Sequence, residues 1–278
     1  MLKQRVITAV VLLALLLPAL FAQVAWPFAL LTMIAIGAAG WEWARLNGGA
    51  TQTPLLLGGI VALACAVSLW LGWAHEAPRR LWWLATLVWV LGGALVLRVG
   101  VAGWPRVPAA LRWLIGALTL WAAWLALANA KAGGVNFLLS VFCLVWAADI
   151  AAYFGGRTFG RRKLAPTISP GKSWEGVVSG MAGVLVLAFA WMAVEARVTV
   201  DSPSLYVQLR DTAGLPVMIV ALLFLSSMSV VGDLFESLVK RAAGAKDSSA
   251  LLPGHGGVLD RIDALLPVFP LAMALVSI

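Results

Sequence analysis

Charge is scarce in this chain: Asp, Glu, Lys and Arg make up 12% of its 278 residues, about half the share of an ordinary soluble domain. With 62% hydrophobic residues and a mean hydropathy of +0.96, the sequence excludes a soluble fold. Polar–apolar alternation is also missing. The apolar runs are long and continuous, which excludes membrane β-strands and leaves spanning helices. Cysteine is limited to Cys65 and Cys143, both inside apolar runs, so neither a disulfide nor a thiolate metal site is implied. No long linker, low-complexity tract or internal repeat divides the chain. It reads as one membrane domain over 1–278, a helical scaffold over 1–134 followed by a half over 135–278 that carries the polar clusters.

What is present is a series of nine apolar segments, each weighed against the roughly 20 residues that a bilayer requires. They lie near 6–22, 26–40, 55–73, 81–97, 112–128, 135–153, 177–194, 215–231 and 264–278, the second and last being short. The first follows Lys3 and Arg5 and has no convincing cleavage site after it, so it reads as a retained signal anchor. The expected fold is all-α, a polytopic integral membrane protein of about nine transmembrane helices. With a cytoplasmic N-terminus, fifteen of the twenty cations fall on the cytoplasmic side, and Arg79, Arg80, Lys131, Arg197 and Arg210 fall on the other. This split follows the positive-inside rule and places the polar site toward the cytoplasm, in the cytoplasmic (inner) membrane. The net charge of +8 is accordingly assigned to topology and anionic lipid, not to nucleic acid. Several of the fifteen Trp lie near segment ends, where the interface suits them.

The chemistry concentrates between Gly232 and Asp263. Five of the twelve carboxylates sit there (Asp233, Glu236, Asp247, Asp260 and Asp263), with Lys240, Arg241, Lys246, Arg261 and His255. Asp233, Glu236, Ser237, Lys240 and Arg241 are spaced i, i+3, i+4, i+7 and i+8, which gathers them on one helical face opposite Leu234, Phe235, Leu238 and Val239. The helical pattern fades at Gly244. Pro253-Gly254-His255-Gly256-Gly257 then forms an irregular loop whose backbone N–H groups can approach an anion. Carboxylates flanking such a loop among several cations suit a metal-bound polyphosphate: they hold Mg²⁺, the metal bridges phosphate oxygens, and Lys and Arg neutralise the remainder.

A second constellation precedes this one. Asp149, Tyr153 and Arg157, spaced i, i+4, i+8, form one stripe if the helix continues through Gly155-Gly156. After it comes the most basic loop, from Gly160-Arg161-Arg162-Lys163 to Ser169-Pro170-Gly171-Lys172-Ser173-Trp174-Glu175-Gly176. Gly171-Lys172-Ser173 is not a P-loop, because Pro166 stands where that motif needs glycine and no strand precedes it. Ser169-Pro170 can start a turn, and Lys172 offers a mobile cation.

Ser237-Leu-Val-Lys240-Arg241, Lys246-Asp247 and Pro253-Gly-His255-Gly256-Gly257-Val-Leu-Asp260-Arg261-Ile-Asp263 resemble, over about thirty residues, the signature of the phosphatidate cytidylyltransferases. These are the CDP-diacylglycerol synthases, integral membrane enzymes of phospholipid synthesis. Tyr153 and Arg157 resemble that family's AY-x-x-GR element, and Ser169 to Gly176 its SP-x-K-[ST]-W-E-G element. The resemblance covers the C-terminal half from about Asp149, whereas the N-terminal half matches only as generic membrane spans. It implies condensation of CTP with phosphatidic acid to CDP-diacylglycerol and pyrophosphate. By position it implies Asp233 and Asp260 as metal ligands, with Asp263 and Asp247 in reserve, for Mg²⁺ or, as a substitute, Mn²⁺. Lys240, Arg241, Lys246, His255, Arg261 and these aspartates become the catalytic set. Asp149, Tyr153, Arg157, Ser169, Lys172, Ser173, Glu175, Ser237, Gly256 and Gly257 become the substrate-binding set. The partners implied are CTP, phosphatidic acid and membrane lipid. Gly176 and Gly180, at GxxxG spacing, can pack helices within one chain or between two copies of a homodimer. A transporter would also explain Asp149 and the basic loops, but transporters place polar groups near the bilayer midplane, often in repeated halves. A related lipid kinase or an isoprenoid-ether lipid cytidylyltransferase shares the features of the site.

Overall fold

Apolar runs of this length satisfy their backbone groups in a bilayer only as helices, and helices dominate the chain. The computed structural model describes residues 2–277 without the side chains of Leu2, Lys3 and Arg5, so the two cations expected to orient the N-terminus lie outside the described residues. In order, the helices are α1 (Leu2–Phe21), α2 (Trp26–Leu46), α3 (Thr53–Trp70), α4 (Arg79–Leu87), α5 (Gly93–Gly103), α6 (Ala109–Gly133) and α7 (Val135–Phe159). There follow α8 (Trp174–Glu195), α9 (Leu205–Ala213), α10 (Leu215–Ala242), α11 (Leu259–Ile262) and α12 (Leu265–Leu275). A π-helical turn at Val88–Gly92 joins α4 to α5, and the two run on, kinked at Gly100 (φ +71°), through a short 3₁₀ turn as one bent 28-residue rod, Arg79–Arg106.

Among the described residues seven helices are long and apolar enough to cross a membrane: α2, α3, the α4–α5 rod, α6, α7, α8 and α10. The chain is thus an all-α polytopic membrane protein, and these seven coincide with the second to eighth expected segments. The other two differ. The first is a shorter apolar helix, Val6–Phe21, within α1. The last is α12, whose eleven residues reach about 16 Å at the helical rise, roughly half the hydrocarbon thickness. Leu266, Val268, Phe269, Leu271 and Ala272 of α12 are almost wholly buried, against α4, α6, α7 and α10. A helix apolar on all sides is either lipid-facing or core, and α12 is core.

Tryptophan also departs from expectation. Trp43, Trp82, Trp89, Trp104 and Trp124 are buried, although Trp26, Trp70 and Trp174 stay exposed. Phe235 of α10 touches the rings of Trp43, Trp89 and Trp104. Three of the buried indoles find acceptors, Trp43 Nε1 donating to the Arg112 carbonyl and Trp104 Nε1 to Asn47 Oδ1, both at 2.8 Å, and Trp124 Nε1 to the Ala29 carbonyl at 3.1 Å, whereas Trp89 Nε1 has no partner among the described residues. This aromatic knot fixes α2 against α10 one residue away from two buried carboxylates, Glu42 and Glu236.

The basic loop is a hairpin rather than irregular chain. β1 (Lys163–Ala165) pairs antiparallel with β2 (Ser169–Ser173), Lys163 opposite Ser173 and Ala165 opposite Ser169. Ser169-Pro170, expected to start the turn, lies in β2 itself, where a two-stranded ribbon tolerates proline at its edge. Ser173 then caps α8, its hydroxyl accepting from Gly176 N at 3.2 Å. α8 packs closely on α7. A side chain at Gly176 or Gly180 would meet the carbonyls of Ala152 and Ala148 on α7. The GxxxG face is therefore consumed within the chain and gives no argument for a homodimer.

Candidate active site

α7, β2, α8 and α10 enclose a cavity of about 440 Å³. α7 contributes Asp149, Tyr153 and Arg157, because the helix continues through Gly155-Gly156 to Phe159 and keeps the expected stripe on one side. Tyr153 and Arg157 are joined by a 3.1 Å hydrogen bond from guanidinium to phenol. β2 contributes Ser169, Lys172 and Ser173, and α10 contributes Ser226 and Asp233. Ala148, Ala152, Val177 and Val230 supply apolar wall. Across the cavity Lys172 Nζ lies 2.6 Å from Asp233 Oδ2, which joins the basic hairpin to the first residue of the signature stripe.

Glu236 and Lys240 of that stripe face protein. Glu236 is fully buried and Lys240 nearly so; the Lys240 ammonium pairs with both Glu236 and Asp260. Asp260 Oδ1 receives Lys240 at 2.7 Å, and Oδ2 receives Ser248 N at 2.9 Å, Ser248 Oγ at 2.8 Å and Gly257 N at 2.8 Å. Burial opposes the charged form of Asp260, but the Lys240 ammonium and the N–H groups of Gly257 and Ser248 outweigh it and hold the carboxyl down at about 2. The glycine-rich loop thus approaches an anion as its composition implied, and that anion is the protein's own Asp260. Gly256 takes φ +83°, and a side chain there would run into Asp260.

Asp263 follows directly after α11. At Gly232 the backbone of α10 comes so near the Asp263 carbonyl and Pro267 that no side chain fits, which seats Asp233 beside Asp263. Burial first, and then the Asp233 carboxylate, push Asp263 up to about 7.

The other sequence-derived residues fall into two groups. Ser237 donates to Asp233 Oδ1 at 3.3 Å, and Arg261 grips the His255 carbonyl, closing the signature loop. Glu175 accepts from the backbone of Arg161 and Arg162, tying the hairpin to α8. Arg241 binds the Ala245 carbonyl on the surface, and Lys246 and Asp247 are exposed. None of Arg241, Lys246, Asp247, His255, Arg261, Gly256 or Gly257 lines the cavity.

One residue escaped the sequence reading. Glu42, fully buried in α2, accepts from Val258 N at 3.0 Å, Leu259 N at 2.7 Å, Ser248 Oγ at 3.2 Å and the Ser249 hydroxyl. A single carboxylate in an otherwise apolar helix, three residues before Arg45, was the available signal.

For a metal, the donor set offers a pair rather than a cage. Among the described residues no three His, Cys, Asp or Glu side chains are arranged to hold an ion. The Asp233 and Asp263 carboxylates are near enough to act on each other electrostatically, whereas Asp260 has both oxygens engaged by protein donors and reaches a metal only by giving up Lys240. Two carboxylates suit Mg²⁺ that takes its remaining ligands from water and phosphate.

A membrane-embedded, helix-built protein with cations and carboxylates converging on one cavity is the class that fold and site define. The chain belongs to the cytidylyltransferase family, whose match spans residues 3–278. The resemblance therefore extends through the N-terminal half as well, beyond the C-terminal region where the motifs lie. It is 41% identical to a phosphatidate cytidylyltransferase of Pseudomonas aeruginosa over 99% of this chain and 97% of that protein. It is 39% identical to one of Haemophilus influenzae over 97% of this chain and 96% of that protein. A phosphatidate cytidylyltransferase of Brucella suis is 47% identical over a shorter stretch, 48% of this chain and 44% of that protein.

Proposed function

We infer that the chain is a phosphatidate cytidylyltransferase, a nucleotidyltransferase of phospholipid synthesis that makes CDP-diacylglycerol and pyrophosphate from CTP and phosphatidic acid. The observation that carries the reading is its likeness, over nearly the whole length, to two proteins of that name. The geometry agrees with the chemistry. A phosphate oxygen of phosphatidic acid attacks the α-phosphorus of CTP, a new P–O bond forms, the bond to the β-phosphate breaks, and pyrophosphate leaves. The attacking phosphate is already an anion at neutral pH, so the task is to hold two polyanions in line and offset their repulsion. Lys172 and Arg157 bring cations to the cavity, and the apolar wall suits a substrate whose acyl chains stay in the bilayer.

Asp233 and Asp263 would hold Mg²⁺, or Mn²⁺ in its place, with Asp260 joining only by exchange of Lys240. When bound, the ion would supply positive charge that neutralises phosphate. We place the site at the cytoplasmic face of the inner membrane, which the distribution of cations favours and where CTP is available. Purified protein is expected to convert phosphatidic acid with CTP but not with ATP or GTP. Exhaustive chelation is expected to stop turnover, and Mg²⁺ to restore it. Turnover that persists without a divalent ion would sink the metal assignment, and conversion with ATP alone would sink the cytidylyl reading.

Lys172→Ala separates a substrate contact from a topological charge. A lysine that meets substrate phosphate contributes about 1.5–3 kcal/mol, so kcat/KM is expected to fall roughly ten- to a hundredfold. Kinetics in mixed micelles decide it, and parental values would leave the hairpin with no part in binding. Arg161→Ala, on an exposed residue away from the cavity lining, is expected to cost less.

A further inference from the structure

Glu42 is the one carboxylate of the N-terminal half that reaches the signature loop, and nothing about α2 requires a charge there. Among the described residues it has no cation against it, and its four hydrogen-bond donors all come from residues 248–259. A carboxylate buried in a spanning helix is costly unless every lone pair is engaged, and here each donor belongs to the loop. Two are backbone N–H groups at the start of α11, and two are serine hydroxyls. The Ser248 hydroxyl has a single proton and stands 3.2 Å from Glu42 and 2.8 Å from Asp260. It therefore links the two carboxylates. Gly257 passes so close that a side chain there would strike both Glu42 and Ser248.

We infer that Glu42 is a positioning residue for cytidylyl transfer: by gripping the start of α11 it sets where Asp260 meets Lys240 and where Asp263 lies beside Asp233. The inference rests on the cytidylyltransferase reading. Holding a loop differs from holding a fold. The loop lies outside the aromatic knot and the buried face of α12, so its loosening leaves the helices assembled while displacing the carboxylates that follow it.

Glu42→Gln keeps size and shape but replaces one acceptor oxygen with an amide that faces donors. Its kcat per folded molecule is expected to fall about tenfold or more. Hydrogen exchange should quicken at Val258 and Leu259 but not at Val135 and Asn136, whose amides Asp201 holds elsewhere in the chain. Ser249→Ala, which removes a single partner of Glu42 from a partly exposed position, is expected to show the same local exchange and a several-fold loss of kcat. It decides the matter if Glu42→Gln fails to fold. Parental kcat in folded Glu42→Gln overturns the inference, as does exchange that rises equally at Val135 and Asn136 with activity per folded molecule unchanged. So do parental kcat and exchange in Ser249→Ala. If the parent itself fails to convert phosphatidic acid with CTP, the enzymatic reading fails, while the exchange experiment still judges the grip of Glu42 on the loop.

Discussion

Asp233→Asn is expected to lower kcat/KM by about a hundredfold or more in protein that remains folded and inserted, a loss of roughly 3 kcal/mol. Asp233 is where the two halves of the site meet: it pairs with Lys172 at 2.6 Å, accepts from Ser237 and sits beside Asp263. Asparagine fills the same space but withdraws the charge. It leaves Lys172 without its acid and removes one of the two carboxylates that suit Mg²⁺. The same contact predicts non-additivity. If Asp233 and Lys172 act as a pair, adding Lys172→Ala to Asp233→Asn should cost much less than the sum of the two separate losses. Steady-state kinetics at saturating Mg²⁺, normalised to folded protein, provide the check. A rate near the parental value would remove Asp233 from the reacting centre.

Lys240→Met is expected to cost stability before anything else. Its ammonium is 11% exposed and lies between Glu236, at 0%, and Asp260, at 6%. Methionine matches the length of the stem but strands two buried carboxylates, and breaking a buried pair from one side typically costs about 3–5 kcal/mol. Thermal melting in detergent should shift clearly downward. Adding Glu236→Gln, which removes one of the stranded charges, should recover part of the loss. An unchanged melting curve for Lys240→Met would show that Glu236 is already neutral and that Lys240 is not what makes its burial tolerable.

The seven long helices were legible in the sequence because a spanning helix must carry its apolar residues in one unbroken run. The same property hid α12, since a helix buried in a bundle and one facing lipid are apolar for different reasons but look alike as text. The hairpin was illegible because strands of three and five residues containing Pro170 and Gly171 leave no alternating pattern. Within the site, the stripe Asp149, Tyr153 and Arg157 followed from helical spacing, whereas the meeting of Lys172 with Asp233 did not, because it depends on how the hairpin folds back over α10. Spacing along α10 also put Glu236 and Lys240 on the face of Asp233. It could not show that Asp260 closes over them, because that contact depends on how the loop returns. Glu42 lay furthest out of reach, its partners more than 200 residues away in the chain.

That separation has a consequence for how the protein is made. During synthesis α2 enters the bilayer long before residues 248–259 leave the ribosome. In that interval Glu42 has none of the four donors it accepts from in the finished chain. A nascent chain therefore carries an unsatisfied acid inside α2 until residues 248–259 emerge. That loop quenches the acid as it docks. Truncated or stalled chains keep the defect, which distinguishes them physically from finished ones and favours their clearance over their accumulation as inert membrane protein.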